Sequence, residues 1–339
     1  MNCLILRIIL CTMVQATAIA CSNIAFIKYW GNRDATLRLP LNNSISMNLD
    51  RATTTTTVAF DPALDDDVVV IGDHVAQGRH RARVVAHLER VRALARIATR
   101  ARVHSRNNFP MGAGIASSAS AFAALSLAAT RAAGLELSER ELSMLARQGS
   151  GSACRSIPGG FVEWYAGSTS AESYAVQLAP PSFWDLRDVI AVVSTTEKSV
   201  GSTDGHAAAL SSHFLAERLA ALPARLARVR HALAARDLPA LGIASEEDAI
   251  ELHLIAMTSR PPIFYWSPGT VRVIQAVQCW RAEGLAVYFT LDAGPNVHLL
   301  CHARDADTVV ARVREIPEVL QVIVNAPGGA ARLVDEHLF

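Results

Sequence analysis

Charged residues set at the ends of apolar runs are the parts of this chain best suited to chemistry. Asn23-Ile-Ala-Phe-Ile-Lys28-Tyr29-Trp30-Gly31 begins as an apolar run of strand length and closes on a lysine, two aromatics and a glycine. A lysine inside such a run is costly to bury unless it meets an anion; otherwise it snorkels at the strand end. Val287-Tyr-Phe-Thr-Leu-Asp292-Ala-Gly-Pro-Asn296 is a second β-type run, ending in an aspartate and turn residues. Asp292 either opens that turn or stands as a buried carboxylate facing a substrate hydroxyl. Ser150-Gly-Ser152-Ala-Cys-Arg155-Ser156 is small and polar with one arginine, equipped to grip a carboxylate or phosphate bidentately, or simply a loop with a surface arginine.

Pro110-Met-Gly112-Ala-Gly114-Ile-Ala-Ser117-Ser118-Ala-Ser120 runs directly into an Ala- and Leu-rich helical segment, residues 119–133. The first amides of a helix lack intrahelical partners and carry partial positive charge, and Gly112 and Gly114 let backbone approach an anion. The P-loop pattern fails for want of a lysine, and Ser117 stands where a dinucleotide fingerprint needs its third glycine. What remains, Pro-x-Gly-x-Gly-x-x-Ser-Ser before a helix, resembles the phosphate loop of the GHMP kinase superfamily.

Taken in order, these four segments resemble the diphosphomevalonate decarboxylases, the decarboxylating branch of that superfamily. The likeness runs from about Ala18 to Ala331 and includes Leu39-Pro-Leu-Asn-Asn-Ser-Ile-Ser46. It implies a two-domain α+β GHMP kinase fold, with a ribosomal-protein-S5-like domain over residues 16–185 and a ferredoxin-like α/β sandwich over 186–339. The active site then lies in the cleft between them. It implies ATP and Mg2+ as cofactors, a phosphorylated mevalonate as substrate, a cytoplasmic setting and a homodimer. ATP phosphorylates the tertiary 3-hydroxyl, and loss of phosphate with carbon dioxide leaves an alkene. By the same resemblance Asp292 orients or deprotonates the hydroxyl beside Lys28, and Arg155 holds the substrate carboxylate with Ser150 and Ser152. Asn23, Tyr29 and Ser202 belong to the substrate pocket, and Ser105, Gly112, Gly114, Ser117 and Ser118 bind ATP.

One departure bears on substrate. The family pattern continues Tyr-Trp-Gly-Lys-Arg-Asp, whereas this chain has Tyr29-Trp-Gly-Asn32-Arg-Asp34. By resemblance that lysine meets the substrate diphosphate. Asn32 donates a hydrogen bond without charge, and hydrogen bonds to charged groups are worth about 1.5–3 kcal/mol. The reading leans to mevalonate 5-phosphate, giving isopentenyl phosphate, unless Arg33 or Lys198 compensates and the diphosphate is the substrate. Lys198, Val200 and Ser202 match a further family segment, while Gly201 and His206 vary from it. A kinase that phosphorylates without decarboxylating, and a non-catalytic nucleotide sensor, are the rival readings.

The elements that must position these residues follow from the pattern. Strands and loops occupy the chain to about Asp50, a β-rich stretch covers residues 53–73, and a helix is expected over 87–102. Gly134-Leu-Glu-Leu-Ser138 stops the phosphate-loop helix and caps another, to Gly149; residues 159–178 alternate as edge strands, and helices dominate 206–276 with a break at Arg260-Pro-Pro262. Arginines in 87–102 and 217–236 are expected on solvated helix faces. With 339 residues, 51% of them hydrophobic, and a net charge of +1, the chain can bury two cores and carries no electrostatic footprint for nucleic acid. The six cysteines show no zinc or disulfide spacing, and the eleven histidines form no ligand cluster. Residues 1–14 are apolar like a signal-peptide core yet too short to span a membrane. Residues 1–15 are therefore expected to be a non-native extension, with translation starting at Met13.

Overall fold

The computed structural model describes residues 14–109, 117–196 and 198–339. Met13 with the segment before it, and Gly112 and Gly114 of the phosphate loop, lie outside the described residues. The first half runs β1 (Val14–Ile27), β2 (Asn32–Asp34), β3 (Leu39–Pro40), β4 (Ser44–Phe60), β5 (Val68–Ile71), β6 (His74–Val75), α1 (Gly78–Ala95), β7 (Ala101–Asn107), α2 (Ser117–Ala132), α3 (Glu139–Gly149), β8 (Phe161–Trp164) and β9 (Ala175–Ala179). The second runs β10 (Leu186–Val192), α4 (Ser202–Ala209), α5 (Leu215–Ala235), α6 (Leu238–Met257), α7 (Pro268–Ala282), β11 (Val287–Thr290), β12 (Val297–His302), α8 (Ala306–Arg314), β13 (Gln321–Asn325) and β14 (Arg332–Val334).

β1 and β4 pair antiparallel over almost their full length, and five successive threonines of β4 suit a half-buried pleated surface. The sheet order is β14-β1-β4-β7-β5-β6, with β8 and β9 added along the start of β4. Alanines of α2, among them Ala123, Ala124, Ala128 and Ala129, are fully buried in the core it shares with β1 and β4. The second sheet, β11-β12-β10-β13, is antiparallel and packs on α7 and α8 through Val273, Val277, Val309 and Val313. Between the halves, Ile24, Phe26, Ile45 and Met47 join Leu222, Leu226, Val229 and Leu241 in one apolar cluster. That cluster fastens α5 and α6 against the end of β1, where Lys28 emerges.

The helix expected over 87–102 is displaced: α1 occupies Gly78–Ala95, and Arg96, at φ 56°, ends it in the left-handed conformation. Ala101–Asn107 is instead a strand held between β4 and β5, so ladder pairing overrides the helical propensity of alanine and arginine. The solvated-face expectation holds for Arg96, Arg228, Arg230 and Arg236 but fails at three positions. Arg92 is buried and bidentate to Asp67 at 2.9 and 2.8 Å, while Arg218 and Arg225 turn inward to Asp248. Buried carboxylates supply the pairing that lets these guanidinium groups leave water. The last strand, β14, pairs with β1. The chain end, grouped by sequence with residues 186–339, thus closes the first sheet.

His87, His206 and His253 are buried, which pushes each from 6.5 to about 3. The unfolded chain takes up protons on these rings below about pH 6.5 and the folded protein does not, so folding weakens as pH falls from 6.5 towards 3. Each group adds up to about 1.4 kcal/mol per pH unit. Urea unfolding at several pH values should show this slope, reduced in His87→Gln by one group's share. A stability unchanged between pH 7 and 5 would contradict it.

Candidate active site

Two strand ends meet here. Lys28 follows β1 by one residue and Asp292 follows β11 by two, and Lys28 Nζ donates to Asp292 Oδ1 at 2.8 Å. Lys28 is 1% exposed, whereas Asp292 keeps 23% of its side chain open. Burial lowers the lysine's proton affinity. Burial alone would raise that of Asp292, but the Lys28 charge and hydrogen bond outweigh it and hold the carboxyl below its usual range, aided by His298 and Arg155.

Arg155 sits in a 3-10 turn, Gly151–Ser156, directly after α3. It is buried among neutral partners. Its Nη1 donates to Ser44 Oγ at 2.7 Å, and Nε and Nη2 donate to Asn23 Oδ1 at 3.3 and 3.1 Å. Asn23 is fixed in turn by donating to Ser156 Oγ at 2.8 Å and to the Ser152 carbonyl at 3.3 Å. Among the described residues no carboxylate lies within ion-pair distance of Arg155, and burial lowers its proton affinity. A Cβ on Gly151 would lie 2.4 Å from the Tyr29 ring, so only glycine lets this turn approach so closely.

A cavity of about 670 Å³ opens between the halves. Its wall includes Lys28, Tyr29, Ser105, Ser117, Ser118, Ser150, Ser152, Arg155, Ser202 and Asp292. The N-terminus of α2 faces it, and Ser118 Oγ lies 3.0 Å from Ser150 Oγ. Among the described residues singled out from sequence, Asn23, Asn32 and Arg33 are not on the wall. Asn23 lies buried behind Arg155, and Asn32 offers its side-chain oxygen to the Tyr29 hydroxyl. Lys198 donates to Ser202 Oγ at 2.9 Å and to the Ala293 carbonyl at 2.6 Å, which joins the α4 approach to the Asp292 turn.

Residues 20–175 match the diphosphomevalonate decarboxylase-like N-terminal domain, and residues 188–327 match the mevalonate 5-diphosphate decarboxylase C-terminal domain. The chain belongs to the diphosphomevalonate decarboxylase family. The phosphomevalonate decarboxylase of Haloferax volcanii is 35% identical over 325 residues, covering 95% of this chain and 98% of its own. The mevalonate diphosphate decarboxylase from Enterococcus faecalis, solved in work on its mevalonate diphosphate-mediated ATP binding, is also 35% identical, with TM-score 0.89 over 96% of this chain and all of that one. A solved complex of MDDEF with MVAPP, AMPPCP and magnesium has TM-score 0.90 and 36% identity, again over 96% of this chain and all of that one. The architecture is the two-domain α+β GHMP kinase fold, and the protein is an ATP-dependent decarboxylase.

Within this decarboxylase the Leu39–Ser46 motif acquires a physical role. Asn42 Nδ2 donates to the Lys28 carbonyl at 3.0 Å, and Ser44 accepts from Arg155, so one short segment braces both cations. Several wall residues were not found by sequence reasoning. Arg38, Gln77, Arg79, His80 and Arg83 line the cavity, the last four from the start of α1, and Val69, Ile71, Val84, Val103 and Leu125 form an apolar slot. The basic run Gly78-Arg-His-Arg-Ala-Arg83 was the available signal for α1. His206 also lines the cavity, its Nδ1 accepting the Gly31 amide at 2.9 Å, so the neutral ring carries its proton on Nε2.

Proposed function

We propose that this enzyme converts mevalonate 5-phosphate to isopentenyl phosphate. The observation that carries the reading is a buried Arg155 without a carboxylate partner among the described residues, opening on the same cavity as the Lys28–Asp292 pair. A guanidinium in that state favours an anionic ligand, and the carboxylate of a 3-hydroxy acid supplies one. With the carboxylate on Arg155, flanked by Ser150 and Ser152, the 3-hydroxyl comes to Asp292. Asp292 accepts its proton as the oxygen attacks the γ-phosphorus of ATP and ADP departs. The C3–O bond then breaks with its electron pair leaving on phosphate, and the C1–C2 pair becomes the C2–C3 double bond as carbon dioxide departs. Lys28 holds Asp292 ionised and faces the leaving phosphate.

The nucleotide belongs at the N-terminus of α2, with Ser105, Ser117 and Ser118 at its phosphates and its base in the apolar slot. Among the described residues no group of three or more His, Cys, Asp or Glu side chains could hold a metal. That fits magnesium, which needs only one or two protein ligands when it arrives on nucleotide phosphates and there neutralises their charge.

The 5-phosphate falls to Tyr29, Ser202 and the neutral His206, with Asn32 joined to this face through the Tyr29 hydroxyl. The monophosphate is favoured because no lysine stands at position 32; Arg38 and Lys198 on the wall favour the diphosphate as second reading. ADP and carbon dioxide release measured with both substrates side by side decides between them. Preference for the monophosphate is expected, and Asn32→Lys should move the ratio of kcat/KM values towards the diphosphate by about 10- to 100-fold. Wild-type preference for the diphosphate would overturn the monophosphate reading, and ADP release without carbon dioxide would identify a kinase.

A further inference from the structure

The backbone at Lys28 is held by residues outside the strand that carries it. β1 ends at Ile27, so the Lys28 amide and carbonyl lie beyond the ladder. Asp248, in the middle of α6, accepts the Lys28 amide through Oδ2 at 2.6 Å. The same carboxylate accepts from Arg218 Nη1 at 2.9 Å and Nη2 at 3.0 Å, and from Arg225 at 3.0 Å. Arg218 Nη2 also donates to the Lys28 carbonyl at 3.2 Å, beside the contact from Asn42. Lys28, Asp248 and Arg218 are all within 2% of complete burial.

Such a cluster is poor value for stability alone, because apolar residues of similar volume usually serve as well in a core. Its distinguishing feature is where it points. Both backbone polar groups of one residue are met by side chains from the other half of the molecule, 190 to 220 residues away. The long Lys28 side chain is then aimed from a fixed Cα.

We propose that Asp248 and Arg218 are positioning residues for Lys28, clamping its backbone so that Nζ stands at Asp292 throughout turnover. This rests on the reading of Lys28 as a group at the reacting hydroxyl. The charges facing Lys28 are Asp292 on the turn after β11, Asp248 with the neutral His253 on α6, Arg218 on α5 and Arg155 on the 3-10 turn. The two carboxylates favour its protonated form and Arg155 opposes it. Removing the Asp248 charge therefore lowers the pH at which Lys28 loses its proton.

The test is steady-state ADP and carbon dioxide release by the full chain between about pH 6 and 10. Asp248→Asn keeps an oxygen for the Lys28 amide but removes the charge. It should lower kcat about 10- to 100-fold with KM for either substrate within about threefold, and move the alkaline limb of the kcat profile to lower pH. Arg218→Lys keeps a cation beside Asp248 but loses the second contact to the Lys28 carbonyl, so kcat should fall less and the limb should stay. A folded Asp248→Asn enzyme with wild-type kcat and limb overturns the proposal. Where that variant fails to fold, Arg218→Lys decides: a loss in kcat at unchanged KM supports the clamp, and wild-type kcat overturns it. A wild-type enzyme that releases neither ADP nor carbon dioxide overturns the reading of Lys28 itself, a distinct failure.

Discussion

Asp292→Asn is expected to lower kcat by about a thousandfold or more while ATP binds as in the wild type. Asparagine preserves the size of the side chain and its hydrogen-bonding capacity, so neither the cavity nor the turn after β11 has reason to change. What disappears is the proton acceptor and the charge that Lys28 meets at 2.8 Å. Lys28, already lowered by burial, then keeps only the more remote Asp248 as a favourable charge and gives up its proton more easily. The variant should melt lower than the wild type, since one partner of a buried pair has been removed. Lys28→Met with Asp292→Asn should recover part of that loss and none of the activity, which separates the catalytic use of the pair from its part in folding. ADP release, carbon dioxide release and an ATP titration on the same preparations check this. Turnover in Asp292→Asn within about tenfold of the wild type would remove Asp292 from the chemistry, and unchanged nucleotide binding by an inactive wild type would point to the sensor reading.

The contrast between Lys28 and Asp248 shows what a sequence can and cannot expose. Lys28 and Asp292 are each conspicuous locally, a charge at the end of an apolar run, and the resemblance joins them although 264 residues separate them. Asp248 lies in Glu246-Glu247-Asp248, an acidic trio in a mainly apolar stretch of helix. Periodicity can tell that the trio is unusual, but not that its third member turns inward to a backbone amide 220 residues earlier. The same limit accounts for α1 and β7, where alanine and arginine favour a helix and only the neighbouring strands reveal a ladder. Asn23 was expected by resemblance to touch the substrate, but it lies behind Arg155, a place that depends on a turn whose path Tyr29 and Gly151 set together. Helix α3 was read closely because its stop and start signals are local. Ser138 caps it with a full capping box to Glu141.

Arg155→Met is expected to abolish productive binding of the phosphorylated mevalonate at little cost in stability. The wild-type fold holds this guanidinium 3% exposed and, among the described residues, gives it Ser44 and Asn23 as side-chain hydrogen-bond partners. Removing it relieves the desolvation of an uncompensated cation, while Ser44 and Asn23 lose a donor at about 1–3 kcal/mol. These effects oppose each other, so the melting temperature of the free protein should move by only a few degrees, in either direction. Catalysis has no such offset. The bidentate grip on the carboxylate is lost, and with it the alignment of the 3-hydroxyl on Asp292, so kcat/KM should fall by about a thousandfold. Thermal shifts give the more telling comparison. Phosphorylated mevalonate should stabilise the wild type and not Arg155→Met, whereas ATP should stabilise both, because a ligand raises stability only through sites it binds. If the variant is stabilised by phosphorylated mevalonate as much as the wild type, Arg155 does not hold the carboxylate. If instead the free variant loses most of its stability, the arginine is a structural brace, and the buried charge belongs to the fold rather than to the substrate.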